Sequence, residues 1–111
     1  MTKYGMTFLL DVYDFEKETA RQVLTTPGDY MRTQRWVSEN LPGGDEDDVV
    51  RDMRVNYAHL HTAMKRRGEL GENGLPEELT ADVIDKMADR WSVYVNTVGE
   101  DQLPLSGQRG K

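Results

Sequence analysis

Residues 84–98 read Ile-Asp-Lys-Met-Ala-Asp-Arg-Trp-Ser-Val-Tyr-Val-Asn-Thr-Val. Ile84, Met87, Trp91, Tyr94 and Val98 recur in steps of three, four, three and four, which places all of them on one face of a helix. The same steps occur upstream in Val50, Met53, Tyr57, Leu60 and Met64. A turn-rich stretch, Glu69 to Glu78, with Gly71, Gly74 and Pro76, separates the two stripes. Matching stripes around a loop predict two helices folded back antiparallel. The second is expected from Leu79 or Thr80 to about Val98, although β-branched Val93, Val95, Thr97 and Val98 weaken its end.

Working outward, the first of this pair has strong punctuation. Asp45 to Asp48 precede it, Lys65-Arg66-Arg67 end it and Gly68 follows. Acids at the start, bases at the end and a glycine just beyond match the helix dipole and a left-handed C-cap. A third helix is expected from Thr26-Pro27-Gly28-Asp29 to about Asn40, with Thr26 as N-cap and Pro27 in the first helical position. Tyr30, Gln34, Val37 and Leu41 would share its apolar face, with Met31 beside them. Thr7 to Tyr13 alternates like a strand, and Ala20 to Thr25 is its natural partner across Asp14 to Glu18. Phe8, Val12, Phe15, Thr19 and Val23 also fit one helix, so hairpin and helix both stand at this stage. The expected fold is therefore α+β and mostly helical: an N-terminal β-hairpin or helix followed by three amphipathic helices. Residues 1–98 would form one helix-rich domain, and 99–111, with Pro104 and two glycines beyond Gly99, a flexible tail.

Composition narrows the function. The chain has 111 residues, 37% hydrophobic and 31% charged, with a net charge of -6. One modest core is affordable at this length, and oligomerisation would bury more apolar surface. The acidic balance disfavours a nucleic-acid partner, because phosphate binding needs a basic footprint. There is no cysteine, which removes thiol catalysis, disulfides and thiolate metal sites. No apolar run is long enough for a membrane span or a signal-peptide core, so a cytoplasmic location in a cell is expected.

The candidate chemical motifs resolve into structural ones. His59 and His61 lie two apart, about 160° around a helix, whereas a helical metal pair needs i, i+4 spacing. They are expected as surface or rim histidines. Asp45-Glu46-Asp47-Asp48 lacks the order of a calcium loop. Lys65-Arg66-Arg67 reads as a helix C-terminal charge rather than a DNA patch, and Asp82, Asp85 and Asp89 as a wet helix face. No serine sits in a nucleophile elbow and no glycine run matches a phosphate loop. The reading is non-enzymatic, with no catalytic residues, cofactor or metal. Six methionines, four of them on or near the stripes (Met31, Met53, Met64, Met87), suit either an irregular core or a surface that repacks around a partner chain. Tyr30, Trp36, Met53, Tyr57, Met64, Trp91 and Tyr94 are the candidates for core or protein contact.

The order of elements also carries a resemblance. Val23-Leu24-Thr25-Thr26-Pro27-Gly28-Asp29-Tyr30 runs into a helix bearing Arg35-Trp36. Asn56-Tyr57-Ala58 and Ala63-Met64-Lys65-Arg66-Arg67-Gly68-Glu69-Leu70 follow. This resembles the small tail assembly chaperones of long-tailed phages and prophages of actinobacterial hosts, over residues 6–95. The chain departs from that pattern after the tryptophan, where Val37-Ser38-Glu39 replaces a basic run. The resemblance implies a protein of the bacterial cytoplasm that binds the tape-measure protein, keeps it soluble and recruits tail-tube subunits. It also implies, in many members, a longer frameshifted form; a homo-oligomer is expected separately, because so small a domain buries little core alone. A small helical DNA-binding regulator and a generic interaction or structural virion component are the alternatives.

Overall fold

In the computed structural model, which describes residues 6–41 and 48–98, a three-stranded antiparallel sheet carries three helices. The elements are β1 (Phe8–Asp14), β2 (Thr19–Leu24), α1 (Pro27–Asn40), α2 (Asp48–Arg67), α3 (Ala81–Arg90) and β3 (Trp91–Thr97). A short 3-10 turn, Gly71–Asn73, lies between α2 and α3. The strand order is β2-β1-β3, so the first strand is central and the last is an edge.

β3 overturns the expected architecture of a hairpin or helix followed by three helices reaching residue 98. The last helix stops at Arg90, and Trp91 has extended backbone (φ -123, ψ 148). Trp91, Val93, Tyr94, Val95 and Thr97 all favour strand, and β1 offers a full ladder from Phe8↔Thr97 to Asp14↔Trp91. The apolar spacing is ambiguous here. Ile84, Met87 and Trp91 follow the helical period, and Trp91, Val93 and Val95 then follow the strand period. The ladder adds cross-strand bonds that an isolated helix end lacks, and the strand wins. Tyr94, placed with Trp91 by the helical reading, faces the opposite side of the sheet and is 67% exposed.

The N-terminal segment is a hairpin and not a helix, with Leu10 opposite Val23 and Asp14 opposite Thr19. Asp14 shapes its turn: one carboxylate oxygen accepts the Glu16 and Lys17 backbone N–H groups at 2.9 and 3.1 Å. Glu18 takes the left-handed region (φ 55) that reverses the chain. Thr25 closes the far end. Its hydroxyl accepts the Phe8 N–H at 3.0 Å, and its own N–H reaches the Phe8 carbonyl at 2.8 Å.

α1 begins as the capping motif predicts. The Thr26 hydroxyl accepts the Asp29 N–H at 3.1 Å, and the Asp29 carboxylate accepts the Thr26 N–H at 3.0 Å. Its buried face is Asp29, Thr33 and Val37, however, with Tyr30 and Trp36 half-buried. Gln34 and Met31, expected on or beside the apolar face, are exposed, because the cap turns Asp29 inward and the face follows it at four-residue steps. α2 ends at Arg67 with Gly68 at φ 72, the left-handed conformation that favours glycine. Asp45 to Asp47 and the tail 99–111 lie outside the described residues.

The core lies between one sheet face and the helices. Leu10, Val12 and Val23 from the sheet meet Tyr57, Leu60, Ala63 and Met64 from α2, and Val83, Ile84 and Met87 from α3, with Leu70 and Trp91. α2 is the central element, touching α1, α3 and the sheet.

Candidate functional site

The seven candidate residues do not converge. Tyr57, Met64 and Trp91 are core. The Tyr57 hydroxyl donates to the Trp91 carbonyl at 2.7 Å and so ties α2 to the first residue of β3. Burial pushes the Tyr57 phenol up. Trp91 carries the Arg90 guanidinium 4.5 Å above its ring centre. Tyr30 packs against Phe8 at 5.4 Å between ring centres and lies near the His59 ring at 6.1 Å. Trp36 donates its indole N–H to the Leu79 carbonyl at 3.1 Å, pinning the segment before α3. Only Met53 (50% exposed) and Tyr94 stand in solvent, on different elements.

Exposed apolar side chains occur on the hairpin and outer sheet face (Tyr13, Phe15, Tyr94), at Met6 and Met31, and as a strip of three where α2 leaves the core. The stripe Val50, Met53, Tyr57, Leu60, Met64 is continuous in sequence but splits in space. Its last three members are buried, whereas Val50 and Met53 are exposed, with Val49 beside them at 67%. Arg51 on the same turns donates to the Leu41 carbonyl, holding this end of α2 against the end of α1. The result is a fixed helix end with an apolar strip facing outward.

Three carboxylates, Asp14, Asp29 and Glu69, are tied into the fold by arginines. Asp29 is fully buried (0% exposed) and receives Arg66 Nε at 2.9 and 3.0 Å and Arg32 Nη2 at 3.0 Å. Burial alone would raise its carboxyl, but the Arg66 and Thr26 hydrogen bonds hold it below the ordinary value. Arg66 also reaches the Leu24 carbonyl at 3.4 Å, and Arg67 pairs with Glu69 at 2.9 Å. Two cations of the Lys65-Arg66-Arg67 run are thus paired with intramolecular carboxylates. Arg90 binds Asp14 at 3.0 Å, and this holds the Asp14 carboxyl well below the carboxylate range. Asp82, Asp85 and Asp89 are exposed, as a wet face requires.

The histidines depart from their expected surface position: both are buried. His59 lies edge-on to Phe8, 5.5 Å between ring centres, with its Nε2 unpartnered. His61 bonds the Pro76 carbonyl at 2.9 Å. They can both be buried because α2 is covered on more than one side, by the sheet and α1 and by the loop before α3. A two-residue spacing keeps one of the pair in solvent only when a helix has a single dry face. Burial lowers both, opposed by Asp29 at His59 and by the Pro76 hydrogen bond at His61. Among the described residues no group of three or more histidine, aspartate or glutamate side chains is arranged to hold a metal ion. Among them, too, no helix is long and apolar enough to cross a membrane. No protein-family model, curated protein or solved structure matches this chain.

Proposed function

We propose that this chain is a non-catalytic assembly chaperone that covers the apolar face of a long helical partner. The sequence resemblance gives the class, a phage or prophage tail assembly chaperone. Through it come the partners, the tape-measure protein with tail-tube subunits, and the host cytoplasm as the place of action. The single observation that carries the reading is the run-out of the α2 stripe: Val49, Val50 and Met53 are exposed on a helix whose other end is anchored in the core. A helix presenting apolar residues at one-turn spacing is the surface that packs against another amphipathic helix. Methionine there adapts to an irregular partner face.

The test is co-expression with the long helical protein encoded at the same locus, reading the partner's soluble fraction. The wild-type chain is expected to raise it and Met53→Asp to abolish the effect. Because Met53 is half exposed, that substitution should move the chain's own stability by no more than about 0.5 kcal/mol. A partner that stays insoluble with wild-type chain present overturns the proposal. Finding the chain in mature particles would make it a structural component instead. Duplex-DNA affinity that collapses with salt would make it a regulator.

A further inference from the structure

β3 is an edge strand, and its sequence is built unlike that of the other edge. β2 carries Arg21, paired with Glu69 at 2.6 Å, and enters from a turn bearing Glu16, Lys17 and Glu18. β3, Trp-Ser-Val-Tyr-Val-Asn-Thr, has no charge, no proline and no glycine over seven residues, in a chain that is 31% charged. Protected edges carry a charge, a proline or a bulge that blocks a further strand. β3 has none of these, and no strand pairs with its outer side among the described residues.

We propose that β3 pairs antiparallel with β3 of a second copy of this chain, about a two-fold axis through Tyr94. Its own sequence selects this occupant. Around Tyr94 the strand is symmetric over five residues: valine on each side, then the uncharged polar pair Ser92 and Asn96. A two-fold contact sets residue against counterpart and needs such self-complementarity. Centred on Tyr94, the ladder sets Val93 opposite Val95 of the second copy. Val93 and Val95 lie on the core face, opposite Val12 and Leu10 of β1, and are only partly buried in one copy. The pairing would extend the core face into a six-stranded sheet with both helical layers on the same side. Tyr94 would meet its counterpart on the outer face. Charge points the same way. A chain of net charge -6 repels its own kind over most of its surface, and the strip without charges is where two copies approach at least cost. The inference does not rest on the chaperone reading.

Sedimentation of the full chain over its soluble concentration range is expected to show a species of twice the 12.7 kDa monomer mass. The chain has no cysteine, so a single introduced thiol reports the register. Tyr94→Cys faces its own counterpart across the axis. Directly opposed residues of an antiparallel pair lie about 4.5 or 5.5 Å apart between Cα atoms, within disulfide range, so this variant is expected to cross-link on mild oxidation. Ser92→Cys, on the same face, sits about 13 Å along the strand from its counterpart and is expected not to. Tyr94→Lys places two ammonium groups together at the axis and should leave a folded monomer, with its circular dichroism melt confirming the fold. A wild-type chain that is monomeric throughout overturns the proposal. So does a dimer in which Ser92→Cys cross-links as readily as Tyr94→Cys, or one that survives Tyr94→Lys.

Discussion

Two buried residues, Asp29 and Trp91, each join separate elements. Asp29 caps α1, holds Arg66 of α2 and anchors Arg32, so one carboxylate links the start of one helix to the end of the next. Asp29→Ala should cost roughly 2–4 kcal/mol in urea unfolding: ~1 from the cap, the rest from a broken buried pair. The full penalty for a stranded charge does not apply, because the Arg66 side chain is 34% exposed and can turn to water. A loss below 0.5 kcal/mol would place the Arg66 contact in solvent. Trp91 closes the core where α3 becomes β3. Trp91→Ala should destabilise by about 3–5 kcal/mol, as large aromatic deletions from cores do. Unchanged stability would exclude Trp91 from the core.

At the scale of the elements, α2 and β3 each perform two roles along their length. α2 is core from Tyr57 onward and exposed apolar surface before it. The split follows from reach. A helix of this length is about 30 Å long, longer than seven-residue strands of about 23 Å and than the width of three strands at ~4.8 Å spacing, so its first turns reach past the sheet. That overhang is why Met53→Asp is expected to abolish partner solubility while sparing the fold. β3 turns one face to the core through Trp91, Val93 and Val95 and the other to solvent through Tyr94. The helix-to-strand change at Arg90–Trp91 occurs without a loop. The Trp91 N–H still bonds the Met87 carbonyl, and the Phe15 N–H takes the Arg90 carbonyl at 2.8 Å.

For the whole molecule, the titrating groups set a pH profile in two stages. His59 and His61 have folded-state values below the 6.5 of an unfolded histidine, so the unfolded chain binds more protons as pH falls past 6.5. Stability is complete above that value and declines as pH drops toward the folded-state values. The limit is ~1.4 kcal/mol per pH unit for each histidine. Asp14, Asp29 and Glu69 are lowered as well, so their contribution is intact above the ordinary carboxylate values of 3.8 and 4.5 and is lost only in stronger acid. Urea midpoints between pH 8 and pH 3 should fall first through the histidine range and again below the carboxylate range. A midpoint flat from pH 7 to pH 5 would mean that the histidines are solvated.

Local chemistry was legible in the sequence wherever one residue type has one use. The Thr26 cap with Pro27 and Asp29, Gly68 after the basic run and the alternation of Phe8, Leu10 and Val12 each specify a local conformation through hydrogen bonding, backbone freedom or side-chain period. The end of α3 was not legible, because Trp91, Tyr94 and Val98 satisfy the helical spacing while Trp91, Val93 and Val95 satisfy the strand spacing. Only the presence of β1, more than 75 residues earlier, supplies the ladder that chooses between them. The burial of His59 and His61 was hidden for a related reason: how many sides of α2 are covered depends on what packs around it, and that is a property of the assembled fold. The same holds for the split of the candidate residues. Tyr57, Met64 and Trp91 are core and Met53 and Tyr94 are surface although all fit the apolar stripes, since the spacing sets a direction and the tertiary structure sets what lies in that direction.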